Sequence, residues 1–117
     1  MGGHRVLDGK VVIGLSENIV VKDAKAKKVL AKIDTGATKS SIDTQLAKRL
    51  GLGPIIRSKM VKSAHGTTIR PIVKATITIA GKTMTEEFTL ADRNHLKFAV
   101  LIGQNILRHG FLIDPSS

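Results

Sequence analysis

The sequence predicts a mainly β domain with one or two short helices. Residues 73–79, Val-Lys-Ala-Thr-Ile-Thr-Ile, alternate apolar and polar side chains. That is the period of two required by a strand with one buried face. The other apolar runs are short and separated by turn residues. Strands do not alternate with long amphipathic helices, which argues against a doubly wound sheet. A chain of 117 residues is long enough for one domain, residues 1–117, with its own core.

The elements follow in order. Residues 11–15, Val-Val-Ile-Gly-Leu, make the first expected strand, and Ile19-Val20-Val21 follows after a polar break. Residues 29–33 are apolar but for Lys32, and they feed directly into Asp34-Thr35-Gly36. Asp43 is placed to cap a helix over Thr44–Leu50 that Gly51 ends. Leu46 and Leu50, four apart, would share its buried face. After the strand at 73–79, Ala80-Gly81-Lys82 reads as a turn and Thr83–Leu90 as the returning strand. Residues 98–102, Phe-Ala-Val-Leu-Ile, are apolar throughout, as expected of a strand buried on both faces. Gln104–His109, between Gly103 and Gly110, would make a second, shorter helix.

Composition narrows the function. Nineteen Lys and Arg against nine Asp and Glu give a formal charge of +10. Lys22, Lys25, Lys27, Lys28 and Lys32 fall within eleven residues. A solvated hairpin is the plainer reading of this run; a patch for a polyanion is the functional one. Trp and Tyr are absent and Phe occurs three times, so a base-stacking surface is hard to build. Nucleic acid is therefore a secondary partner, reached only through the basic segment. The lack of cysteine excludes disulfides, thiolate catalysis and cysteine-ligated zinc, and fits a reducing compartment. No apolar run approaches the roughly 20 residues that span a bilayer. Residues 1–5 lack the apolar stretch of a signal peptide, and Val6 stands where a myristoylation motif ends in Ser or Thr. A cytoplasmic protein with no membrane partner is expected.

The segment that carries chemistry is Ile33-Asp34-Thr35-Gly36-Ala37-Thr38-Lys39-Ser40-Ser41-Ile42. It puts a carboxylate just after an apolar strand, in a tight turn with small hydroxylated neighbours. Gly36 lets the backbone turn closely and leaves the carboxylate accessible. Thr35 offers a hydroxyl to lock the turn. Alone, the tripeptide reads as an ordinary Asp/Thr turn. About 65 residues on, Val100-Leu101-Ile102-Gly103-Gln104-Asn105 supplies a second apolar strand, a glycine and a polar helix start.

Together the two segments resemble the retropepsins, single-domain aspartic proteases of retroviruses. Ile33-Asp34-Thr35-Gly36-Ala37 matches their catalytic motif. Leu101-Ile102-Gly103 matches the strand that packs across that loop. The chain is similar, over nearly its whole length, to the bacterial and archaeal retropepsin-like family that carries the label of ATP-dependent zinc proteases. The matching segments are Val12–Glu17, Ala31–Ala37, Leu90–Arg93, Leu101–Gly103 and Ile113–Ser116. Gln104 departs from both groups, which usually carry Arg there.

The resemblance implies a closed retropepsin-like β-barrel. It also implies an aspartic endopeptidase that works as a homodimer on peptide or protein substrates. Asp34, Thr35 and Gly36 would form the catalytic motif. Residues 60–70 would form a flap hairpin with a small-residue tip at Ser63, Ala64, His65 and Gly66. Ala37, Leu101 and Ile102 would join these tip residues in holding substrate, and Phe111-Leu112-Ile113 could pair across the dimer. Each chain holds one Asp-Thr-Gly; Asp43, Asp92 and Asp114 lack that context.

The zinc and ATP labels find no support in the residues. His4, His65, His95 and His109 make no His-Glu-x-x-His motif. Gly81-Lys82-Thr83 mimics the end of a P-loop, but Thr76 replaces the required upstream glycine. No cofactor and no metal are expected. The alternative function is a catalytically weak retropepsin-fold module that binds peptides or serves dimerisation.

Overall fold

The computed structural model describes residues 3–23 and 25–117. Met1, Gly2 and Ala24 lie outside the described residues, and so, with Met1 and Gly2, does part of the expectation about leader and acylation signals. The strands are β1 (Val6–Leu7), β2 (Lys10–Ile13), β3 (Ser16–Lys22), β4 (Ala26–Ile33), β5 (Ser40–Asp43), β6 (Arg57–Ser63), β7 (Gly66–Ile79), β8 (Lys82–Ala91), β9 (Val100–Ile102) and β10 (Phe111–Ile113). Helix α1 spans Thr44–Leu50 and α2 spans Gln104–Leu107.

Six strands close a barrel in the order β3-β4-β9-β5-β8-β7, with β7 pairing back onto β3. β6 pairs only with β7 and projects from the barrel as one arm of a hairpin. The alternation in 73–79 sets the inner face: Val73, Ala75, Ile77 and Ile79 are buried, while Thr76 and Thr78 pair their hydroxyls with Thr85 and Thr83 outside. Ile79 lies opposite Lys82, and both Ala80 (φ 49°) and Gly81 (φ 81°) are left-handed, the two-residue turn that suits strand twist. Phe88, Ile42, Ile102 and Ile106 meet these residues in the core.

Helix α1 is built as its sequence requires. Asp43 Oδ2 accepts the N–H groups of Gln45 (3.1 Å) and Leu46 (3.2 Å), and Gly51 ends the helix at φ 73°. Leu46 and Leu50 are both 3% exposed.

Four expectations change in detail. The strand expected at 11–15 runs Lys10–Ile13 and leaves Leu15 exposed. The chain turns at Gly14, where a Cβ would lie 2.8 Å from the Ser117 carbonyl. The strand expected at 98–102 is only Val100–Ile102, of which β4 pairs with all three residues and β5 with Val100 and Leu101. Its middle residue, Leu101, is half-buried, so one face is not covered. Helix α2 stops at Leu107, short of the expected His109. β10 runs parallel to β2 of its own chain, in a small sheet ordered β1-β2-β10. Only its other edge remains for pairing with a second copy.

Lys22, Lys25, Lys27, Lys28 and Lys32 lie exposed along the β3–β4 hairpin. Among the described residues, no helix is long and apolar enough to cross a membrane.

Candidate active site

β4 ends at the buried Ile33 and hands the chain to Asp34 at the barrel rim. The Asp34 N–H donates to the Ile102 carbonyl (2.9 Å), so the turn begins as an extension of the β4–β9 ladder. Asp34 Oδ1 accepts the Gly36 N–H at 2.9 Å. Asp34 Oδ2 takes no hydrogen bond among the described residues. The carboxylate is half-buried, with one oxygen fixed and one open.

The loop is braced from below by the turn that starts α2. Gln104 N–H donates to Ala37 O (2.8 Å) and Asn105 N–H to Thr38 O (3.2 Å). Gln104 Nε2 donates to Thr35 O at 2.8 Å, so the residue that departs from the resemblance holds the loop by its side-chain amide. A Cβ on Gly103 would lie 2.6 Å from Lys39 O and 2.8 Å from Ala37 O. Real structures essentially never show such contacts, so only glycine fits at this crossing.

Gly36 is different. A Cβ there would meet Asp34 Oδ1 at 3.4 Å, an ordinary contact, and its φ is not left-handed. Within one chain, neither space nor backbone strain demands glycine at 36.

Ser40 closes the far end of the loop. Its N–H (3.0 Å) and hydroxyl (2.8 Å) donate to Asn105 Oδ1, and its Oγ accepts the Gly103 N–H (2.9 Å). Asn105 Nδ2 donates to the Glu87 carbonyl (2.9 Å). Sequence reasoning missed Ser40, Asn105 and Glu87. Asn105 did leave a signal, as a polar residue beside the apolar Ile106 and Leu107 of α2.

Above the loop lies a cleft of about 280 Å³. Ala37 and Leu101 are among the residues that line it. Ile102 is not: its side chain is fully buried and it serves the loop through its carbonyl. The hairpin wall consists of Lys59, Val61 and Arg70. The tip, where Ala64 and His65 turn β6 into β7 at Gly66 (φ 113°), is not part of the lining. The Ser63 side chain lies outside what the structure describes.

The cleft is cationic. Lys59 and Arg70 face each other directly across the β6–β7 ladder, an unfavourable like-charge pair. Arg93 joins them in the lining, held by its Nε to Phe98 O at 3.1 Å. Burial, then the Arg70 charge, pushes the Arg93 guanidinium below its ordinary pKa, against the pull of Asp34 and Asp43. The Arg93 N–H donates to Asp43 Oδ1 at 2.8 Å. Burial pushes the Asp43 carboxyl up; the N–H donors of Arg93, Leu46 and Gln45, with the Arg49 charge, more than reverse this and leave it lowered. A second cavity of about 360 Å³ opens beside the loop, lined by Thr35, Gln104, Leu107, Arg108 and Ile113.

The donors do not fit a zinc site. Among the described residues, no three His, Asp or Glu side chains gather as a metal ion requires. His4 pairs with Glu17 (2.8 Å) and His109 with Glu86 (2.7 Å).

The fold has known counterparts. A Legionella pneumophila protein of unknown function, Lpg0085 (DUF785), superposes with a TM-score of 0.65 at 20% identity, covering 91% of this chain and 94% of that one. The simian foamy virus (mac) protease superposes at 0.62 with 16% identity, over 80% of this chain and 91% of its own. The EIAV protease complexed with the inhibitor HBY-793 gives 0.64 and 20%, over 80% and 84%. At these identities the likeness establishes the fold. No curated protein matches the sequence significantly. The profile of the RimB-like family, described as retropepsin-like aspartic endopeptidase RimB, matches residues 46–117, a stretch that begins after the Asp34 loop. The match covers more than half of the sequence, and the chain belongs to the RimB-like family of retropepsin-like aspartic endopeptidases.

Proposed function

We propose that this chain is an aspartic endopeptidase that works as a two-fold homodimer and takes substrates with acidic side chains. The observation that carries the reading is Asp34: one oxygen held by Gly36 N–H, the other open, beside a cleft walled by a projecting hairpin. One chain supplies one such carboxylate. Two copies related by a two-fold axis would bring two Asp34 side chains together and complete the site.

Two carboxylates about 3 Å apart do not both ionise, so the pair shares one proton. The ionised Asp34 takes a proton from a water molecule as its oxygen attacks the scissile carbonyl carbon. The protonated Asp34 gives its proton to the carbonyl oxygen. The tetrahedral adduct then collapses: one of its hydroxyls returns a proton to the ionised Asp34, the C–N bond breaks, and the amine leaves with the proton of the other Asp34, so the pair again holds one proton. Gly36 N–H keeps the carboxylate in plane throughout.

Gly36 supports the dimer independently. Nothing inside one chain requires glycine there, and close approach of an opposed copy of the same loop would supply the reason. In such a dimer the copy would cover the cavity lined by Thr35 and Ile113 and meet the second edge of β10. Lys59, Arg70 and Arg93 support the substrate class, because a substrate carboxylate would relieve their mutual repulsion.

The test is cleavage of casein and of Glu/Asp-rich and Lys-rich peptides between pH 3 and 8, by wild type and Asp34→Asn, with sedimentation of both. Cleavage that favours acidic peptides, vanishes in the variant and accompanies a dimer is the expected result. A dimer that binds peptides without cutting them would make the chain a binding module instead.

A further inference from the structure

The root of the projecting hairpin is fastened to the barrel by side chains that meet on one carboxylate. Arg57 opens β6, and its Nη1 donates to Glu87 Oε2 at 2.8 Å while Nη2 donates to Oε1. Lys39, from the far end of the Asp34 loop, donates from Nζ to the same Oε1 at 2.6 Å. Glu87 stands on β8, and its side chain is 20% exposed. Its main-chain carbonyl accepts Asn105 Nδ2, and Asn105 Oδ1 holds Ser40. One residue therefore touches the hairpin root, the catalytic loop and α2.

The charges around it make this joint one-sided. Lys74 sits opposite Glu87 in the β7–β8 ladder, so Arg57, Lys39 and Lys74 all face this one acid. Its neighbour Glu86 is engaged by His109. Without Glu87, three cations would repel one another at the point where the hairpin leaves the barrel. Lys39 also lines the cleft, so the same carboxylate decides where that ammonium sits.

We propose that Glu87 is a positioning residue that couples the flap hairpin to the Asp34 loop, fixing the hairpin root over the cleft and holding Lys39 at the cleft margin. This rests on the reading above that a peptide enters beneath the hairpin. Hydrogen bonds from Arg57, then from Lys39, hold the Glu87 carboxyl down to about 2, so the joint stays ionised at any working pH. Glu87 does not touch the reacting atoms; it acts through the two elements it joins.

The experiment pairs hydrogen exchange with kinetics on wild type, Glu87→Gln, Arg57→Gln and Arg57→Lys. Arg57 is half exposed, so its variants fold even if Glu87→Gln does not. Exchange of the 57–72 amides should accelerate at least tenfold in both Gln variants while 73–79 stays at the wild-type rate, and Arg57→Lys should restore part of the protection. The kcat/KM for an acidic peptide should fall about tenfold, mainly through KM. Unchanged exchange in 57–72, or acceleration spread equally over the barrel, would overturn the coupling. If the wild type cuts no peptide, the exchange pattern still decides the role of Glu87, and only the peptidase reading falls.

Discussion

The loop that carries Asp34 and the hairpin beside it are built on opposite plans. In the loop, backbone groups are tied off on both sides: Asp34 to Ile102, Ala37 to Gln104, Thr38 to Asn105, Thr35 to the Gln104 side chain. The crossing at Gly103 leaves no room for a methyl group. The hairpin has one strand partner for β6, an exposed tip, and exposed apolar side chains at Met60 (61%) and Ile69 (66%). Beyond the Glu87 joint, its root is held by Ile56 N–H on Ile72 O. Chemistry needs a carboxylate fixed to a fraction of an ångström, while substrate entry needs a segment that opens at little cost. On the proposed reading the loop serves the first need and the hairpin the second, and Glu87 is where the two meet.

The largest effect expected from breaking the rigid side is on activity. Asp34→Asn should lower kcat/KM at least about 10³-fold with little change in melting temperature, since the side chain keeps its shape and its bond from Gly36. Casein hydrolysis and a thermal melt, run on the same preparation, check both halves. Next comes a pair of glycines that separates the loop's two surfaces. Gly103→Ala forces a methyl group onto two backbone oxygens and should cost about 3 kcal/mol in urea unfolding. Gly36→Ala should leave the fold intact yet weaken the dimer seen in sedimentation and lower cleavage with it. Equal destabilisation by the two would mean that Gly36 serves the chain's own fold and not a second copy. A smaller loss, about 2 kcal/mol, is expected for Asp43→Ala, which strips the cap from α1 and leaves the Arg93 N–H without its acceptor.

The two regions also differ in how far they could be read from sequence. The rigid side was legible because its constraints are local or periodic. Asp43 and Gly51 bound α1, the 73–79 alternation orients β7, and Asp34-Thr35-Gly36 and Leu101-Ile102-Gly103 announce each other. Closure of the barrel was not legible in periodicity, because β3 meets β7 only through sequence separations that no local pattern encodes. The hairpin's wall of the cleft is illegible for the same reason. Small tip residues drew attention to Ser63, Ala64, His65 and Gly66, whereas the cleft is lined by Lys59, Val61 and Arg70, set by strand alternation across a register that only the fold reveals. The resemblance places Ile102 with Leu101 in holding substrate, but period two sends neighbours to opposite faces, and the Ile102 side chain lies in the core. Glu87 gave no signal at all: its partners Arg57 and Lys39 lie 30 and 48 residues away.

The mildest test of the comparison uses acid. Glu87 titrates at about 2 in the folded chain, against 4.5 for an ordinary glutamate. A depressed folded-state value means stability that is fully present above the unfolded value and is lost as pH falls towards the folded one. The melting temperature of wild type should therefore exceed that of Glu87→Gln by a constant margin from neutrality down to about pH 5. The margin should shrink between 4.5 and 2 as the carboxyl protonates and comes to resemble the amide. Asp43, also lowered, titrates in both proteins and cancels in the difference. Hydrogen exchange in 57–72 should rise over the same interval in wild type while the Ala37, Gln104 and Asn105 amides stay protected, because their hydrogen bonds run to backbone carbonyls that do not titrate. A margin that persists undiminished at pH 2.5 would mean that the Glu87 charge is not its source, and no margin at neutrality would mean that the Arg57–Glu87–Lys39 joint carries no net stability and that the hairpin is held by its ladder alone.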